Sequence, residues 1–345
     1  HRRKPEIMAA SDTILKRAPR KSLRHVVLTQ ELIVVAVSVV LFVFFAVALD
    51  GFLSSGNILN FIRNVAILGM LSLGMAVVVI GRGVDLSLIA VMAVSMTLAI
   101  VLANKGYGFP MALAAGLLFV VAVAVVMGFL IAYVEIPAIF ATLAVSAIVY
   151  GMGRGVIATL DVNNVPDGLD WFIFLGRGSL FGIPMPIWIF AVTALLLNLF
   201  LRKTGLGRFI YAIGENISTA RITGIPVRPM IILQYIIAAV MAFLAGCVTA
   251  ASIASMNMRM VNSTLIYDVL LVVILGGIGL TGGRGGVRNV LVGTVLIGLL
   301  LNGMTILDIS FIVQNLVKST VLLCALIVDA ILNPRDEQTS QQGDI

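Results

Sequence analysis

Residues 109–134 read FPMALAAGLLFVVAVAVVMGFLIAYV, twenty-six positions without one charged side chain. A bilayer core of about 30 Å needs roughly 20 apolar residues at about 1.5 Å per residue, so this run is long enough to cross it. Nine more apolar runs flank it: 32–49, 58–80, 86–103, 139–159, 187–201, 230–252, 267–280, 290–307 and 311–332. The composition of the whole chain agrees. Of 345 residues, 60% are hydrophobic and 11% charged, against about 25% charged in soluble domains. Mean hydropathy is +1.13. A soluble globule could not cover its surface with so few charges, and the expected fold is an all-α, polytopic membrane bundle of about ten spans.

The net charge of +7 does not point to nucleic acid. Its basic residues flank the apolar runs, as the positive-inside rule requires, and this implies the lipid bilayer as partner. With the N-terminus inside, seventeen Lys and Arg fall on the cytoplasmic side: eight before Val26, then Arg82, Arg202, Lys203, Arg208, Arg221, Arg228, Arg284, Arg288 and Arg335. Four fall outside: Lys105, Arg154, Arg177 and Arg259. Ten spans then place both termini in the cytoplasm. The chain divides into a basic tail (1–27), a membrane unit (28–335) with a long inner loop (202–229), and a C-terminal tail (336–345). The N-terminal stretch is too long and polar for a cleaved secretory signal, and His1 in place of Met leaves the true start open.

The eighth run is shorter than a crossing and ends in a glycine-rich stretch, Gly276 to Gly286, which suggests a broken or re-entrant element. Within it Gly277-Ile278-Gly279-Leu280-Thr281-Gly282 matches a dinucleotide-binding fingerprint. The carboxylate expected about 20 residues on is missing, so the glycines are read as a sharp turn and close packing. No Gly-Lys-Ser/Thr occurs, which excludes a P-loop. His1 and His25 both lie in the N-terminal tail, leaving no His-based catalysis and no metal site. Cys247 and Cys324 sit in apolar runs and read as small core residues. Arg63 and Lys318 fall about two turns inside their spans and are expected to snorkel outward. Asp85 precedes Leu86-Ser87 and is expected to cap the third helix. No mid-depth carboxylate is present for a proton relay, which weighs against a stand-alone secondary transporter, the alternative reading.

The inner loop carries its own local signals. Gly214-Glu215-Asn216-Ile217-Ser218-Thr219-Ala220-Arg221-Ile222-Thr223-Gly224 reads as a short helix, with Asn216 or Ser218 as cap and Gly224 as stop. Ile217, Ala220 and Arg221 recur at helical spacing and make one small apolar face. A membrane-surface helix held by Arg208 and Arg228 is the plainer reading of the same residues.

Five motifs in order resemble the permease subunits of bacterial ATP-binding-cassette importers for monosaccharides, the ribose, xylose and arabinose group. They are Gly83-Val84-Asp85-Leu86-Ser87, with Ile89 where a glycine is expected; Ile136-Pro137-Ala138-Ile139-Phe140-Ala141-Thr142-Leu143; the inner loop from Thr204-Gly205-Leu206-Gly207-Arg208 to Ala220-Arg221-Ile222-Thr223-Gly224-Ile225; Asp268 with Leu275-Gly276-Gly277 and Gly282-Gly283-Arg284-Gly285, where Ile266 replaces an acid; and Asn302-Gly303. The resemblance spans nearly all of 32–333. It implies a multi-pass subunit of the bacterial inner membrane with no ATPase site and no bound cofactor of its own. The implied partners are a second permease copy, a cytoplasmic ATPase using ATP and Mg²⁺, and a periplasmic solute-binding protein. It makes Gly214, Glu215, Asn216, Ile217, Ala220, Arg221 and Gly224 the ATPase-coupling loop. The departures at Ile89 and Ile266 leave the solute open between sugars and polyols. Candidates for the solute path or its gates are Asn64, Ser72, Asp85, Ser87, Ser95, Thr142, Ser146, Asp268, Gly276, Gly277 and Asn302; ordinary interhelical hydrogen bonding is the plainer role for Asn64, Ser72, Ser95, Thr142, Ser146 and Asn302.

Overall fold

The computed structural model describes residues 30–332; the two expected tails, 1–27 and 336–345, lie outside them. The described chain is all-α apart from four very short strands. Thirteen helices follow in order: α1 (Gln30–Ala48), α2 (Ser55–Ile80), α3 (Leu88–Asn104), α4 (Phe109–Ala132), α5 (Ala138–Met152), α6 (Asp170–Arg177), α7 (Met185–Lys203), α8 (Gly205–Glu215), α9 (Ile217–Ile222), α10 (Val227–Ile253), α11 (Leu265–Leu275), α12 (Val287–Ile306) and α13 (Phe311–Leu332). Eight are long and apolar enough to cross a membrane, counting α5 with the π turn that extends it to Ile157. The two remaining expected spans are α3 and α11, apolar but shorter. α3 starts at Leu88 because residues 81–87 form a turn. α11 stops at Leu275, where the glycines begin, and its eleven residues rise about 16 Å, half a bilayer core.

Local chemistry sets the helix ends. Ser54 accepts the Asn57 N–H at the start of α2, and Pro110 and Pro186 occupy first-turn positions in α4 and α7, where the missing N–H costs nothing. α2, α3 and α10 form the centre: 68–80 of α2 and 88–94 of α3 are buried without interruption. Small residues bring α10 close to its neighbours. A Cβ at Gly246 would stand 3.1 Å from the Met92 carbonyl oxygen, and one at Gly128 2.8 Å from Ile232 Cα. α1 and α13 carry apolar side chains on exposed faces, including Val40, Val47, Ile312 and Leu316.

The side of each turn follows from contacts between remote segments. Arg288, at the start of α12, pairs with Glu31 at the start of α1 at 3.2 Å. Leu280 N–H, after α11, donates to Asp329 near the end of α13. Both described chain ends therefore lie with the glycine turn and the basic loop. At the opposite end, β1 (Val162–Asn164) pairs antiparallel with β4 (Ser255–Asn257), while β2 (Ser179–Leu180) and β3 (Ile183–Pro184) form a small hairpin.

Candidate functional site

A cavity of about 650 Å³ opens between the outer halves of α2, α10 and α12, within the range of about 300–1,000 Å³ usual for small-molecule sites. Asn57, Asn60, Arg63 and Asn64 of α2 line it, with Thr249 and Ser252 of α10 and Asn302 and Thr305 of α12. Positions 57, 60 and 64 fall on one helical face, so α2 turns a polar stripe toward the cavity. Asn57 and Asn302 satisfy each other: Asn302 Nδ2 donates to Asn57 Oδ1 at 2.8 Å, and Asn57 Nδ2 donates back at 3.1 Å. Arg63 does not snorkel. Its Nε is buried against the cavity with no hydrogen-bond partner among the described residues, and no carboxylate lines the space.

Of the path candidates, the structure brings Asn64 and Asn302 together here. Ser72, Ser95 and Thr142 are fully buried elsewhere. Ser95 and Thr142 bond back to the carbonyls of Met92 and Ile139, and Ser72 Oγ has no described partner. Ser146 is half-buried on α5, away from the cavity. Asn57, Asn60 and Arg63 were missed in the sequence. Asn57 precedes the expected start of its span, and Arg63 was weighed alone rather than as part of a face.

Asp85 does not cap α3 directly. The cap position belongs to Ser87, whose side chain bonds no helix N–H. The buried Asp85 carboxylate instead accepts the Ser87 N–H at 2.9 Å and the Ser87 hydroxyl at 2.6 Å, closing the turn that leads into the helix. Lys318 does not snorkel either. It is 5% exposed, as is Asp268; its Nζ lies 2.9 Å from Asp268 Oδ1 and donates to Oδ2 at 3.1 Å and to Thr264 Oγ1 at 3.1 Å. This ion pair joins α11 to α13. Gly276 leaves no room for a Cβ beside the Asn289 carbonyl, and Gly277 turns at φ +99°. Cys247 is half-buried, but Cys324 is exposed on α13 and is not a core residue.

At the inner end, α8 and α9 pack beneath α2 and α10. Thr204 caps α8 by accepting Gly207 N–H at 3.0 Å, and Asn216 caps α9 by accepting Thr219 N–H at 2.8 Å. Gly224 ends the segment at φ +83°. Of the small face expected from Ile217, Ala220 and Arg221, only Arg221 is exposed. Ala220 is 2% exposed and sits in the core, with Ile217 packed against it. The free side of α9 presents Ser218, Thr219, Arg221 and Ile222, the last 87% exposed. Arg228 is held by Glu135 at 3.3 Å and lies over the Tyr133 ring. The Tyr211 hydroxyl of α8 donates to Gly285 O at 2.8 Å; burial raises it above the usual phenol range against the pull of Arg202, which keeps it a donor.

A polytopic helical bundle with a polar outer cavity and a basic, helical inner loop is the architecture of a membrane permease. The chain belongs to the family described as the branched-chain amino acid transport system permease component, which matches residues 57–326. It is 30% identical over 279 residues to the ribose import permease protein of Escherichia coli (strain K12), covering 81% of this chain and 87% of that one. The ribose import permease of Bacillus subtilis (strain 168) is 33% identical over 281 residues, 81% of this chain and 86% of its own. The L-arabinose transport system permease protein of Escherichia coli (strain K12) is 31% identical over 323 residues, 93% and 97% of the two chains. No solved structure matches. The chain is a multi-pass protein of the inner membrane.

Proposed function

We propose that this chain is the permease subunit of an ATP-driven importer that moves a monosaccharide, or a polyol of similar size, into the cytoplasm by alternating access. Relatives named for ribose and arabinose import, aligned over 81–93% of the chain, support the solute class. The polar cavity carries the reading. Thr249, Ser252 and Thr305 donate to backbone carbonyls and Asn57 pairs with Asn302, which leaves Arg63, Asn60 and Asn64 to meet water or a polyhydroxylated solute, because lipid cannot satisfy them. Arg63 and the amides of Asn60 and Asn64 supply donors that sugar hydroxyls accept, with no carboxylate to demand a cation.

ATP and Mg²⁺ belong to a cytoplasmic ATPase that docks on the exposed side of α9, and this chain binds neither. A periplasmic binding protein delivers the solute, and a second copy of the chain completes the path. Reconstitution in liposomes with the ATPase and the binding protein tests the reading. Labelled ribose, arabinose and polyols are expected to accumulate only with ATP and binding protein together. Uptake driven by a proton or sodium gradient without ATP would establish a secondary transporter instead.

A further inference from the structure

Three cytoplasmic segments close on one another around Arg82. This residue stands in the turn after α2 at φ +70°, a left-handed conformation that a non-glycine residue keeps only where its surroundings hold it. Its side chain donates to two remote backbone carbonyls. Nε reaches Thr281 O at 2.9 Å, in the glycine turn after α11. Nη2 reaches Glu215 O at 3.3 Å, at the junction of α8 and α9. The backbone repeats the three-way contact: Gly283 N–H donates to Ile80 O at 2.8 Å, and a Cβ at Gly214 would overlap that same carbonyl.

The junction of α8 and α9 therefore has no room to shift without moving both turns. One turn ends α2 and the other leads into α12. Those two helices carry Asn60, Asn64 and Asn302 of the outer cavity at their far ends. We infer that Arg82 is the positioning residue that transmits movement of the α8–α9 segment to α2 and α12, and through them to the cavity. Two carbonyls on separate segments suit the wide, fixed fork of a guanidinium; the three donors of an ammonium all radiate from one nitrogen and span such a pair less well.

This inference rests on the importer reading, and the experiment separates the two. Complexes of permease, ATPase and binding protein in liposomes are measured for labelled-ribose or labelled-arabinose uptake and for phosphate release. Arg82→Ala is expected to lower sugar moved per ATP by about tenfold, within the range of ordinary coupling energies, while phosphate release continues. Arg82→Lys is expected to fall between. In an Asn64→Cys background with Cys247 and Cys324 replaced by Ser, labelling by an impermeant maleimide is expected to differ between nucleotide-free and ATP–vanadate-trapped complexes, and Arg82→Ala is expected to erase that difference. A merely structural role would lower hydrolysis and uptake in parallel and leave the labelling difference in place. That result, or unchanged sugar per ATP, overturns the inference. Should Arg82→Ala not assemble, Arg82→Lys decides on the same ratio. Absence of ATP-driven uptake in the unsubstituted complex would refute the importer reading itself.

Discussion

Lys318 and Asp268 are fifty positions apart in the chain and 2.9 Å apart in the structure. Read singly, each looks like an interfacial charge, and only the packing of α11 on α13 shows that they neutralise each other. Sequence carries no signal for such a pair, because the distance between them is set by two helices and a glycine turn. Removing one partner strands the other in the bundle. Lys318→Met is expected to cost about 3–5 kcal/mol, and the double variant Lys318→Met/Asp268→Asn to recover most of it. Melting in detergent checks both; a double variant as unstable as the single would show that Lys318 acts on something besides Asp268. Asp85 makes a smaller, local case. Its carboxylate holds the buried Ser87 N–H, so Asp85→Ala should cost about 1–3 kcal/mol, and Asp85→Asn less because the amide oxygen still accepts.

At the scale of elements, what was legible was what local chemistry decides. Asn216 as cap and Gly224 as stop place α9 within a residue, and the glycines after Leu275 announce the short α11. Helix α8 was hidden by Gly205, Gly207 and Gly214, which weaken any propensity argument. Two of them are there for contact: a Cβ at Gly207 would overlap the carbonyls of Phe200 and Leu201, and one at Gly214 the carbonyl of Ile80, whereas at Gly205 it would meet nothing within 4 Å. The orientation of α9 was also beyond the sequence. A six-residue helix shows its apolar residues equally well to a partner or to its own bundle, and here Ala220 and Ile217 turn inward. The exposed side of α9, which the proposed function assigns to an ATPase, centres on Ile222. Ile222→Glu is expected to leave membrane assembly intact and uncouple hydrolysis from uptake. Ala220→Glu, which buries a carboxylate in the core, is expected to lower stability and yield instead. Comparing expression, melting and uptake per ATP for the two variants checks this; normal coupling in Ile222→Glu would remove that face from the contact.

At the scale of the whole molecule, the proposed second copy needs a face to meet. Apolar exposure does not identify it, since lipid covers apolar faces as readily as a protein does. Residue size is a better guide inside a membrane, where close backbone approach rather than hydrophobicity drives helix association. On α5, Ala144, Ala147 and Gly151 recur at three- and four-residue spacing and are all exposed, and a Cβ at Gly151 would meet nothing within 4 Å. Bulky side chains are exposed on both helices, Phe140, Leu143 and Ile148 on α5 and Leu118 and Val126 on α4, so the small stripe itself, rather than the whole α5 surface, is where backbones could approach. The test starts from a chain with Cys247 and Cys324 replaced by Ser, because Cys324 is itself exposed. In that background Ala147→Cys is expected to cross-link two copies under mild oxidation in native membranes, and Leu118→Cys is not. The reverse pattern would move the interface to α4, and cross-linking at neither site would leave α5 facing lipid.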